Sequence, residues 1–211
     1  VSLATEEGVT IEMLEQARTD DQRLVAQGLM SQDEYNQEWY LSPEAAIKGA
    51  VFSKELAAAR TEGRVTRVPY DPSALVDTDW DLGIGDAMAI WFSQSFPSGE
   101  VRVLDYYESS GEGLQHYVDV LNKKPYIYGE HWAPHDIEVR ELGVGRSRRE
   151  SAQLLGLTFR VGPRVSTKIE FEVAEGIHAA RMLFPRCWFD AQRTKPGLEA
   201  LQHYHWDFNA R

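Results

Sequence analysis

The chain opens with a polar stretch in which apolar residues recur at helical intervals, a pattern that predicts short helices joined by polar turns over residues 1–68. Within it Ser31, with Glu34 three positions on, completes a capping box ahead of Tyr35 and Trp39. Ser42-Pro43 starts another turn, and residues 52–60 read as a helix closed by Gly63. At Val68-Pro69-Tyr70-Asp71-Pro72 two prolines in four residues disfavour helix and mark a boundary. Beyond it the periodicity shortens. Residues 74–81 read as a strand, Gly83 and Gly85 as a tight connection and residues 87–93 as a second strand, which together predict a hairpin. After Pro97-Ser98-Gly99, residues 101–107 supply a third antiparallel strand.

Residues 111–122 return to helical spacing, with Leu114, Tyr117, Val118 and Leu121 on one side, and Pro125 precedes a strand over residues 126–131. A helix between strands implies a crossover, which sets the fourth strand parallel to its neighbour. Helices are predicted over residues 148–155, 167–180 and 195–204, with a short strand at 157–161. This is an α/β arrangement: a helical segment, 1–68, followed by one mixed-sheet domain, 69–211.

Six Trp, nine Tyr and eight Phe supply the bulky core that a disordered chain lacks. No apolar run approaches the roughly 20 residues of a membrane span, and the N-terminus carries no basic stretch leading into an apolar one, so the chain reads as soluble and intracellular. The single cysteine, Cys187, forms no internal disulfide and reads as a small core residue beside Trp188 and Phe189. A net charge of −11 argues against gripping nucleic acid over the whole surface. Locally the balance reverses. Arg140, Arg146, Arg148, Arg149, Arg160, Arg164 and Lys168 share their stretch with only Glu141 and Glu150, a basic face on an acidic body unless these side chains are merely solvated.

Strand alternation puts Asp77, Asp79 and Asp81 on one face and Val76, Thr78, Trp80 and Leu82 on the other. Three like charges in a row repel and cannot all be buried unpaired, so that face meets water, cations or metal. Gly83-Ile84-Gly85 lacks the third glycine and the following helix of a dinucleotide loop, and no G-x-x-x-x-G-K-[ST] loop is present for nucleotide phosphates.

The segment Trp80-Asp81-Leu82-Gly83-Ile84-Gly85-Asp86-Ala87-Met88-Ala89-Ile90-Trp91 resembles the first nuclease motif of phage terminase large subunits. Tyr128-Gly129-Glu130-His131-Trp132-Ala133-Pro134-His135-Asp136, followed by Arg140-Glu141-Leu142-Gly143-Val144-Gly145-Arg146-Ser147-Arg148, resembles the second acidic motif and the basic loop after it. Residues 31–70 are similar to the segment that joins the packaging ATPase to the nuclease, so the resemblance covers most of the chain. The strand order, three antiparallel strands and then parallel ones separated by helices, is that of a ribonuclease H-like fold. In this reading residues 1–68 are the linker or edge of the packaging ATPase and 69–211 the nuclease domain.

The resemblance implies a divalent-metal-dependent endodeoxyribonuclease that cuts concatemeric double-stranded DNA during genome packaging, using two Mg2+ or Mn2+ ions roughly 4 Å apart. It implies Asp81 as the bridging ligand, Glu130 or Asp136 as its partner and Asp86 as an auxiliary ligand, with His131 and His135 orienting water, contacting phosphate or serving the fold. Arg140, Arg146, Arg148 and Arg149 are the expected DNA phosphate contacts. In the family a third acid comes from a C-terminal helix. No matching motif precedes Phe208-Asn209-Ala210-Arg211, so the domain is expected to continue past residue 211, with Asp190 and Asp207 as possible substitutes. Implied partners are the ATPase domain of the same polypeptide, the portal protein and the small terminase subunit, in the host cytoplasm at the procapsid. The competing reading is a catalytically inert module that docks to portal or small subunit; resolvases and integrases share the metal chemistry but give no reason for the segment at 31–70.

Overall fold

The computed structural model describes residues 20, 22–30, 50–83, 87–139, 145–161 and 169–205. The expected capping box at Ser31 and Glu34 lies outside them. The chain divides into two compact units, one of residues 1–57 with 199–211 and one of residues 58–198. In the first, Val51 N–H donates to the Tyr204 carbonyl at 2.8 Å, Ala50 bridges to His205, and the Phe52 and Tyr204 rings stack with centroids 5.9 Å apart. The helix expected at 52–60 is Ser53–Thr61 (α1), and Gly63 follows it at φ 72°, the left-handed conformation that a helix C-terminus uses glycine to reach.

The second unit is built on a mixed sheet. Among the described residues its strands are β1 (Val65–Thr66), β2 (Val76–Asp81), β3 (Ala87–Ser95), β4 (Val101–Ser110), β5 (Tyr128–Ala133), β6 (Phe159–Val161) and β7 (Cys187–Asp190). Their spatial order is β1-β7-β4-β3-β2-β5-β6. β2, β3 and β4 are the expected antiparallel meander. The helix expected next is Leu114–Lys123 (α2), and its crossover sets β5 parallel to β2. Arg148–Leu154 (α3) leads to β6, parallel to β5, and Ile169–Leu183 (α4) leads to β7, parallel to β4; Lys195–His203 (α5) follows. The sheet is therefore of the ribonuclease H-like kind, mixed in direction and flanked by helices. β1 and β7 were not anticipated: β1 is two residues long, and the burial of β7 does not alternate.

One face of the sheet carries the core. Val76, Trp80, Ile90, Phe92 and Leu104 pack with Tyr117 and Leu121 of α2 and with Phe159. Each such side chain contributes roughly 1.5–3 kcal/mol by leaving water. Trp80 is fixed edge-on to Phe159 at 5.0 Å and to Tyr117 at 6.0 Å. Gln94, wholly buried on β3, donates to the carbonyls of Asp71 and Ala74 at 2.7 Å and accepts from Asp71 N–H at 3.0 Å, so the proline-marked segment is tied to the sheet just before β2 begins. None of the described helices is long and apolar enough to cross a membrane.

Candidate active site

β2 is held in register by a buried polar relay on its core side. Trp80 Nε1 donates to Thr78 Oγ1 at 2.8 Å, and the Thr78 hydroxyl shares a hydrogen bond with His131 Nδ1 of β5 at 2.6 Å. Burial lowers the His131 pKa, against the opposing pull of Asp77 and Glu130, and the ring serves the fold by clamping the two strands whose ends bear the acids.

The other side of β2 carries the three aspartates, each in a different environment. Asp77 accepts the backbone N–H of Glu130 at 2.8 Å across an irregularity in the β2–β5 pairing. That contact requires Gly129, where a Cβ would fall 2.4 Å from Asp77 Oδ1. Asp79 reaches water yet has protein packed closely about it, and this desolvation, followed by the Asp77 charge, pushes its carboxyl up to about 6. Asp81, at the strand end, is also raised, first by burial and then by the charge of Asp136.

Asp136 stands in the 3-10 turn His135–Glu138 that follows β5, a turn anchored by the fully buried Ile137. Its Oδ1 is buried and, among the described residues, has no hydrogen-bond partner. A desolvated oxygen without a donor, next to a second carboxylate, is unfavourable unless a cation or proton joins them.

Glu130 has a different engagement. It is exposed, and both its oxygens accept from Arg160 of β6, Oε2 from Nε at 2.7 Å and Oε1 from Nη2 at 3.1 Å, contacts that hold its pKa down. The structure thus brings Asp136 to Asp81 and pairs Glu130 with Arg160. Arg148 donates to the carbonyl of Leu82 at 3.4 Å, which places the start of α3 beside the residue after Asp81. Ser147 and Glu150 cap that helix reciprocally. Arg149 pairs with Glu138 at 2.7 Å, while Arg146 and His135 are exposed. Asp86, Arg140 and Asp207 lie outside the described residues.

Sequence reasoning passed over Glu108. The register puts Asp81 opposite Ala89 and Ala89 opposite Glu108, so the two acids share a face with only a methyl group between them. Tyr106 donates to Glu108 at 2.6 Å, and its phenol is raised by burial, by that bond and by the charges of Glu108 and Asp81. The available signal was the strand alternation of residues 101–110, readable only once the register is known. Among the described residues no group of three or more His, Cys, Asp or Glu is arranged to hold a metal ion.

The raised Asp79 carboxyl makes a testable contribution to stability. Its folded pKa of about 6 exceeds the unfolded value, so stability is greatest below about pH 4 and is lost as pH rises through 6. Asp79→Asn removes that loss. After discounting for solvent around an exposed side chain, the expected gain at pH 7.5 is about 1 kcal/mol, or about 2–4 °C in Tm, vanishing near pH 4. A pH-independent change in Tm would contradict the assignment.

No family model matches the chain, and no curated protein matches it in sequence. Solved structures do match. A large terminase from the thermophilic bacteriophage D6E superposes with TM-score 0.50 at 14% identity, over 68% of this chain and 34% of that one, so the chain spans about a third of that protein's length. The P22 large terminase nuclease domain matches with TM-score 0.50 at 19% identity, over 70% of this chain and 78% of that one. The large terminase nuclease of the thermophilic phage G20c, solved with bound cobalt, matches with TM-score 0.51 at 17% identity, over 78% and 85%. The chain has the ribonuclease H-like fold of phage large-terminase nuclease domains.

Proposed function

We propose that the chain is the nuclease part of a viral packaging terminase, a metal-dependent endonuclease that cuts concatemeric double-stranded DNA with little regard to sequence. The observation that carries this is the Asp81–Asp136 pair: one carboxylate from the end of β2 and one from the turn after the neighbouring β5, the first raised by burial and then by the other's charge, the second with a buried oxygen that has no partner among the described residues. All-oxygen ligation of this type suits Mg2+ or Mn2+. The related G20c nuclease was solved with cobalt, another divalent ion. Asp81 and Asp136 would hold the metal, with Asp86 as an auxiliary ligand. Bound there, two divalent ions supply polarisation of the scissile phosphate and a lowered pKa for the attacking water.

The remaining chemistry belongs to the chain. β2 and β5, clamped through Thr78 and His131, fix the two carboxylates relative to one another before substrate arrives. Arg148, beside Leu82, and the exposed Arg146 present positive charge to the DNA backbone next to the acids, contacts that carry no base identity, and we assign the same role to Arg149 and Arg140. We further place the ATPase domain elsewhere in the same polypeptide, in keeping with a chain that spans a third of the D6E terminase, and assign portal and small subunit as partners at the procapsid in the host cytoplasm.

Supercoiled plasmid incubated with the purified protein is expected to be nicked and linearised in Mn2+ or Mg2+ and left intact in EDTA. Folded protein that cleaves with neither ion would count against the proposal.

A further inference from the structure

The face that carries the aspartates also carries an exposed tryptophan. In the parallel pairing of β2 with β5, Asp79 lies beside Trp132, and in that of β5 with β6, Trp132 lies beside Arg160. Neighbours in such a pairing point to the same side, so Asp79, Trp132 and Arg160 form one row across three strands. His131, one residue earlier, turns the other way to Thr78. Trp132 is 38% exposed, and among the described residues no hydrogen bond or ring contact engages its indole, in contrast to Trp80, whose Nε1 is satisfied inside the core.

The surroundings restrict what this indole can take. Arg160 is neutralised by its two-pronged contact with Glu130, so the row offers no free cation for a phosphate. Asp79 and Asp77 repel phosphate and accept hydrogen bonds. An aromatic face with an acceptor beside it fits the flat face of a nucleobase and the N–H groups of its edge. The row sits two residues, about 7 Å, before Asp81 along β2, within reach of a nucleotide next to one held at Asp81.

We propose that Trp132 and Asp79 form a nucleobase subsite that holds an unpaired DNA base flanking the cut, an inference that rests on the nuclease reading above. In a duplex the edges that Asp79 accepts from are already paired and the base faces are stacked. The strand must therefore open locally, and single-stranded or frayed DNA is the preferred ligand.

The test is binding in EDTA, where cleavage is suppressed. Anisotropy of a labelled single-stranded DNA is compared with that of the same sugar-phosphate backbone carrying abasic sites throughout. The unaltered protein is expected to prefer the base-bearing strand about tenfold, the effect of base–aromatic stacking, with Trp132→Ala binding both alike and Trp132→Phe keeping most of the preference. Asp79→Asn is expected to keep part of that preference, because stacking on Trp132 remains while one acceptor oxygen becomes a donor. Equal binding of both strands by the unaltered protein, or an undiminished preference in Trp132→Ala, overturns the subsite. Plasmid cleavage in Mn2+ measured alongside separates the two ideas: cleavage without discrimination sinks the subsite and spares the nuclease, and discrimination without metal-dependent cleavage does the reverse.

Discussion

Asp81→Asn is expected to lower metal-dependent plasmid cleavage by at least about 10³-fold, about 4 kcal/mol of transition-state stabilisation. Asp136→Asn should cost about as much, because each carboxylate supplies half of the proposed cation-holding pair. Glu130→Gln serves as the contrast. Its partner is Arg160 on the surface, where water screens the pair, so a change in rate of no more than about fivefold is expected. Asp81→Asn should also leave the fold intact or slightly firmer at neutral pH. Its carboxyl is raised by burial and by Asp136, so the ionised form is a burden that the neutral amide lacks. Loss of activity with no loss of stability identifies a group kept for chemistry rather than for folding. Full cleavage by Asp81→Asn would remove the enzymatic reading, and strong loss in Glu130→Gln with little in Asp136→Asn would move the second ligand from Asp136 to Glu130.

What the sequence made legible, and what it concealed, follows from the range of the interactions. The β2–β3–β4 meander was readable because its alternation, its glycines and Pro97-Ser98-Gly99 are local signals. α2 likewise declared itself through one apolar side, on which Tyr117 and Leu121 are buried. β1 and β7 did not. Their pairing, Val65 with Phe189 and Thr66 with Asp190, joins residues more than a hundred positions apart, and no local pattern encodes such a partner. The same distinction runs through the site. That Asp77, Asp79 and Asp81 share a side of β2 follows from a period of two, whereas the pairing of Glu130 depends on Arg160, a residue on another strand. Glu108 was hidden for a related reason: its place across Ala89 from Asp81 is a matter of register, which the sequence of β4 alone does not state. The asymmetry of the three aspartates was also invisible, since it is Gly129 that lets the backbone approach Asp77 and makes that carboxylate structural.

Asp190 is the acid most easily mistaken for a missing metal ligand, and its substitution should instead produce the largest loss of stability. It ends β7, three strand spacings from β2 in the sheet order, about 14 Å, too far to share an ion with Asp81. Its oxygens are already occupied. Oδ1 accepts from the backbone N–H of Arg193 at 3.0 Å and of Gln192 at 3.3 Å, and Oδ2 accepts from Val68 N–H at 3.1 Å and from Arg193 Nη2 at 3.0 Å. Arg193 passes the link on to the Val68 carbonyl and to Tyr126, whose hydroxyl donates to Asp105. Burial pushes the Asp190 carboxyl up, but the bonds from Arg193 and Val68 outweigh it and hold the carboxyl at about 2. A folded pKa below the unfolded one means stability that is present above about pH 4 and lost as pH falls through 2. Asp190→Asn, which leaves a guanidinium and backbone donors without their anion, is expected to cost about 3 kcal/mol at pH 7, or about 6–12 °C in Tm. The gap from the unaltered protein should narrow as the pH is lowered from 4 toward 2, because the natural carboxyl then protonates as well. Urea unfolding across that range reads the effect, and the Mn2+ affinity of the same variant, measured at pH 7.5, should not change. A fall in Mn2+ affinity with stability preserved would place Asp190 among the metal ligands and undo the structural assignment.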